Sequence, residues 1–113
     1  MSTLREISRE VVTTVVGTGA VTILPASGNG AIYRDLTGIT VSTANAVAGT
    51  LTLSDGVRTQ LVIDFPDSAA APVDPLDFDF DPPLQQSNAN NAWTITASAN
   101  AGNYHVNAQY IER

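Results

Sequence analysis

Apolar and polar positions alternate with a period of two over several short stretches of the chain, the pattern of strands with one buried and one wet face. It is clearest from Gly49 to Asp64. Leu51 and Leu53 fall on one face, and Thr50, Thr52 and Ser54 on the other. Asp55-Gly56 follows, two residues that tolerate positive φ, and predicts a tight type I′ hairpin turn. The return strand then sets Val57, Thr59, Leu61, Ile63 and Phe65 on one face. A second alternation places Trp93, Ile95, Ala97 and Ala99 against Thr94, Thr96 and Ser98. It leads through Asn100 to Asn103 into Tyr104, Val106, Ala108 and Tyr110, opposite His105, Asn107 and Gln109. This predicts a second hairpin, built from the β-branched and aromatic types that suit pleated surfaces.

The first half reads the same way. Val11 to Val16 is a β-branched run, and Val21 to Leu24 is a short strand closed by Pro25. Ser27 to Gly30 is a turn. Ile32 to Thr43 forms one long strand in which Leu36 lies on the even face and Ile39 and Val41 on the odd face; a β-bulge at Gly38 reconciles them. The segment from Pro66 to Asn91 holds five of the six prolines, and Asp64 to Asp81 holds six of the eleven acids. Long connections are expected there, with one short strand through Leu76 to Phe80 that its prolines confine to a sheet edge. Thr3 and Glu6 have capping-box spacing, and Leu4, Ile7 and Val11 helical spacing, but the stretch is too short for a stable isolated helix. Residues 1–10 are therefore read as an N-terminal arm that orders against a partner, through Leu4, Arg5, Ile7 and Arg9, and residues 11–113 as the folded domain. The expected class is all-β: a single jelly-roll-like β-sandwich of seven or eight antiparallel strands.

Composition narrows the function. A chain of 113 residues makes one domain. Charged residues are 14% of it, its five basic residues are all Arg, and the net charge is −6. Nucleic acid and anionic membranes are poor partners for such a surface. No run of 18 apolar residues exists to span a membrane as a helix. Met1 to Glu10 carry charges where a secretory leader has an apolar core, so none is expected. The absence of Cys removes thiol catalysis, Cys-ligated zinc and iron–sulfur clusters.

Four groups could carry chemistry. On a strand, Asp77, Asp79 and Asp81 share one face and Phe78 and Phe80 the other. Three carboxylates could hold Ca²⁺, but the spacing lacks the glycine and distal Glu of an EF-hand, and a solvated edge that repels other strands is expected instead. His105, the single histidine, could join a catalytic set, yet no Gly-x-Ser-x-Gly elbow accompanies it. Ser27 to Gly30 lacks the Gly-Lys of a phosphate loop. Trp93, Tyr104 and Tyr110 could form a sugar platform, but their alternate spacing reads as core. Neither enzyme activity, nor a cofactor, nor a metal is expected.

The runs Ile23 to Ala26, Leu36 to Thr43 and Gly49 to Gly56, followed by a long variable loop and a last hairpin from Trp93 to Tyr110, resemble the small jelly-roll proteins in the virion modules of tailed bacteriophages. Members of that type often serve as capsid decoration, or cement, proteins. The resemblance implies a non-enzymatic subunit on the capsid surface of the virion, bridging subunits of the major capsid protein, with copies associated as a homotrimer. Similar sandwiches occur in phage fibres and baseplates, which leaves a tip module binding a host surface glycan as the alternative.

Overall fold

A computed structural model describes residues 9–16, 19–43, 49–65, 76–98 and 103–113. They form eight strands: β1 (Arg9–Val16), β2 (Gly19–Leu24), β3 (Arg34–Thr43), β4 (Gly49–Ser54), β5 (Thr59–Phe65), β6 (Leu76–Leu84), β7 (Trp93–Ala97) and β8 (Asn103–Glu112). Two four-stranded antiparallel sheets result, in the orders β1-β8-β3-β6 and β2-β7-β4-β5. Every connection crosses from one sheet to the other except β4 to β5. That is jelly-roll connectivity, two Greek keys folded over a common core.

The expected C-terminal hairpin is not one. β7 pairs with β2 and β4, whereas β8 pairs with β1 and β3 in the opposite sheet. The alternation of each strand is as expected: Trp93, Ile95 and Ala97 are buried, and so are Tyr104, Val106, Ala108 and Tyr110. The two apolar faces meet across the core instead of lying side by side in one sheet. A local pattern of period two specifies which face of a strand is buried but not which strand lies beside it. β4 and β5 do form a hairpin, with Leu51 opposite Ile63 and Leu53 opposite Leu61.

Gly38 sits where expected. The pairing of β3 shifts register between Leu36 and Gly38 on both sides, against β6 and against β8. The shift lets Leu36, Ile39 and Val41 all point into the core. A Cβ at Gly38 would stand 2.9 Å from the carbonyl oxygen of Phe78, so the neighbouring strand approaches where a side chain would be. β6 is the edge strand predicted, but it runs through Pro82 and Pro83 to Leu84, four residues further than its alternation suggested. An edge tolerates those prolines because their missing N–H groups can face away from the ladder.

Ile23, Leu24, Leu36, Ile39, Leu51, Leu53, Ile95 and Trp93 make the centre of the core, with Leu61 partly buried against it. Each large side chain removed from water contributes about 1.5–3 kcal/mol. Val57 is an exception to the expected face: it lies outside β5 and is 55% exposed.

Candidate functional site

The topology gathers three connections at one end of the sandwich: residues 25–33 after β2, 55–58 after β4 and 85–92 after β6. The start of β1 and the finish of β8 reach the same end. Three polar side chains are buried among the described residues, Asp35, Asp55 and Gln86, and all lie here.

Asp55 organises the β4–β5 turn. The turn is not of type I′: Gly56 has φ +95°, but Asp55 keeps a negative φ. Its carboxylate turns inward and accepts five hydrogen bonds, from the Val57 and Arg58 amides, Gln60 Nε2, and both the amide and the hydroxyl of Ser87. An aspartate that caps its own turn in this way replaces the tighter two-residue geometry. Gln60 also donates to the Gln85 carbonyl. Gly56 is held close to the same connection, since a Cβ there would meet the Ala92 oxygen at 3.0 Å. Burial alone would raise the Asp55 pKa. The donors from Ser87, Arg58, Val57 and Gln60 outweigh it and hold the carboxyl well below the usual carboxylate range.

Asp35 and the two end arginines join the remaining pieces. Asp35 accepts from the Gln86 amide at 2.9 Å and from Arg113 Nε at 2.6 Å. Arg113 exchanges backbone hydrogen bonds with Tyr33, and its guanidinium stacks 4.2 Å from that ring's centre. Arg34 pairs with Glu112 at 3.0 Å, donates to the Pro25 carbonyl, and lies over the Tyr110 ring. Its amide donates to Gln86 Oε1 and its carbonyl accepts from Trp93 Nε1 at 2.7 Å. The Asn90 carboxamide accepts from Gly28, and the Asn90 amide donates to Ile32. Acids, amides and guanidiniums at this end thus satisfy one another. The arrangement fixes loops: among the described residues its buried acids and the Arg34 and Arg113 guanidiniums are engaged with one another or with loop groups.

The residues singled out from sequence fall elsewhere. Leu4, Arg5 and Ile7 lie outside the described residues. Arg9 opens β1, opposite Tyr110, and Glu10 stands opposite Gln109, so these two arm positions belong to the sheet. Asp77, Asp79 and Asp81 are exposed on β6, and Asp77 accepts from the Thr40 hydroxyl. Among the described residues no three acids or histidines converge on a point where a metal could sit. His105 is exposed on β8, opposite Thr14 and Ser42. Ser27 to Gly30 is a self-closed turn: Ser27 Oγ donates toward the Asn29 and Ile32 carbonyls, and Asn29 Oδ1 accepts from Ala31. Trp93, Tyr104 and Tyr110 are core residues, at most 7% exposed, and form no sugar platform.

Sequence reasoning took Asp55 as a turn residue and passed over Asp35, Gln86 and Arg113. Asp55 had a usable signal, an acid between two strands with three potential donors in the next five residues. Nothing in the chain pattern marked the other three.

No protein-family model matches the sequence, and no curated protein sequence does. Nine chains of solved structures are similar to it, among them the following three. The capsid asymmetric unit of cyanophage Pam1 shares 21% identity at TM-score 0.47, covering 93% of this chain and 83% of that one. A pentameric capsid protein from metagenomic phage sequences shares 21% identity at TM-score 0.36; the match covers 92% of this chain but only 59% of that one. The coat protein dimer of Tobacco streak virus shares 12% identity at TM-score 0.42, with 89% and 84% covered. Identities and scores of this size do not define a family.

Proposed function

We propose that the chain is a non-enzymatic structural subunit of a tailed-phage virion, a decoration protein that sits on the capsid surface and bridges subunits of the major capsid protein. The observation that carries this reading is the cross-linked end of the sandwich: the buried acids Asp35 and Asp55 and the arginines Arg34 and Arg113 are engaged in joining loops. What remains outward is contact surface. On the sheet β2-β7-β4-β5, cross-strand partners line up as Thr22, Thr94, Ser54 and Thr59 in one row and Ala20, Thr96, Thr52 and Val62 in the next. Short neutral side chains of this kind suit large, partly wet interfaces between rigid subunits. The phage-type resemblance of Ile23 to Ala26, Leu36 to Thr43 and Gly49 to Gly56 gives the class of partner.

The arm supplies the attachment in this reading. Arg9 opens β1 opposite Tyr110, and Leu4, Arg5 and Ile7 precede it in the chain. Deleting residues 2–8 spares β1 and is expected to leave the fold intact while weakening attachment to particles in co-sedimentation. Equal attachment by the truncated and full chains removes the arm from the mechanism. Quantifying the chain on purified virions tests the role itself. A copy number that follows the capsid lattice fits decoration; a handful of copies per particle points to the fibre or baseplate tip and overturns the proposal.

A further inference from the structure

The two sheets have four edges among the described residues. β1 and β2, the edges on one side, follow each other in the chain after two residues and approach one another there. β6 carries Pro82 and Pro83 together with the outward acids Asp77, Asp79 and Asp81, which oppose pairing by another strand. The fourth edge is β5, seven residues with the sequence TQLVIDF, free of Pro and of basic residues, and bearing the single charge of Asp64. Its ladder partner is β4, and its other edge meets no strand among the described residues. The hairpin it belongs to also holds the exposed large apolar side chains of the described surface, Val57 at 55% and Val62 at 54%. An edge with these properties is a template for strand addition.

From this edge we infer that β5 pairs antiparallel with β5 of a second copy of the chain, about a two-fold axis at Val62, giving a homodimer with a continuous eight-stranded sheet. The strand reads nearly the same in hydropathy from either side of Val62. Leu61 comes opposite Ile63, so the apolar inner face continues into the partner. Val62 comes opposite itself, covering the exposed side chain. Asp64 comes opposite Gln60, so the lone charge of the strand never meets its own copy, the arrangement that would oppose pairing. Self-complementarity of this kind is what a two-fold interface requires. The bulge at Gln60, where Leu53 pairs Leu61 but Ser54 pairs Thr59, leaves Leu61 to Phe65 in regular register with β4, so the regular part of the two-fold pair runs from Leu61 to Ile63 about Val62. The pairing is independent of the proposed role on the capsid, and it replaces the trimer that the resemblance implies with a two-fold pair.

Sedimentation of the full chain tests it, with Val62→Lys and Val57→Lys as equally exposed substitutions on and off the strand. The wild type and Val57→Lys sediment as dimers. Val62→Lys, which sets two ammonium groups face to face, keeps its far-ultraviolet spectrum and dissociates at least about tenfold more readily. Because the chain contains no cysteine, Val62→Cys gives a second readout: residues directly opposite each other have Cβ atoms close enough for a disulfide. Under mild oxidation Val62→Cys cross-links between copies much faster than Asp64→Cys. A wild-type monomer or trimer, a dimer untouched by Val62→Lys, or equal cross-linking of the two cysteine variants overturns the inference.

Discussion

Asp55 shows how one buried carboxylate can serve as a structural hub. It is 0% exposed, has no cationic partner among the described residues, and is held by five donors from the turn, β5 and the β6–β7 connection. Hydrogen bonds to a charged acceptor each contribute about 1.5–3 kcal/mol net. In Asp55→Asn an amide group must face donors that the carboxylate oxygens accepted, so urea denaturation is expected to show a loss of about 2–4 kcal/mol. The pH dependence follows from the direction of the pKa. The folded value is depressed below the unfolded one of about 3.9. The stabilisation is therefore complete above that pH and fades as pH falls through the range down to the folded value. The gap in unfolding free energy between wild type and Asp55→Asn should hold steady around neutrality and narrow in acid below about pH 4; a gap that widens in acid would contradict the assigned network.

At the scale of elements, the bulge in β3 decides what its neighbours can be. Without the extra residue near Gly38, Leu36 would fall on the opposite face from Ile39 and Val41, and one set would be exposed. The close approach of β6 is part of the same solution, with Phe78 oxygen 2.9 Å from where a Cβ would be. Gly38→Ala must push a backbone atom, not a flexible side-chain tip, and should cost about 1–3 kcal/mol. Gly30→Ala, with open space around it and no positive φ, is the matched control and should be near neutral. Hydrogen exchange checks the mechanism: protection along β6 should fall in Gly38→Ala while that of the β4–β5 hairpin stays. Loss spread evenly over both sheets would mean the glycine serves something other than the β3–β6 approach.

Across the whole molecule, the core and the cross-linked end are coupled through Trp93. Its ring lies at the centre of the core and its indole N–H bonds the Arg34 carbonyl, within the group of residues that joins the loops. Loosening the end exposes that N–H, and disrupting the core releases the strands that anchor the end. Small domains with such shared contacts unfold in one step. Trp93 is the single tryptophan, so its emission reports that step cleanly. Emission should be blue-shifted in the native protein, and its denaturation midpoint should coincide with that of the far-ultraviolet β signal. Separate midpoints would show that the end opens as an independent unit.

Sequence by itself determined where most of the strands lie and which of their faces is buried. Period two in Leu51 and Leu53, in Trp93, Ile95 and Ala97, and in Tyr104 through Tyr110 reflects a local property, because successive side chains leave a strand on opposite sides. The misfit between Leu36 and Ile39 revealed the bulge for the same reason. Which strands lie side by side was decided only in three dimensions. β7 and β8 looked like a hairpin because adjacency in sequence and matching alternation are all that a local pattern contains; their separation into two sheets depends on pairings with β2, β4, β1 and β3, far away in the chain. The network of Asp35, Gln86 and Arg113 escaped the sequence likewise, since its members are 27 to 78 residues apart and a polar side chain becomes buried and paired only once distant loops have been brought to one end of the fold.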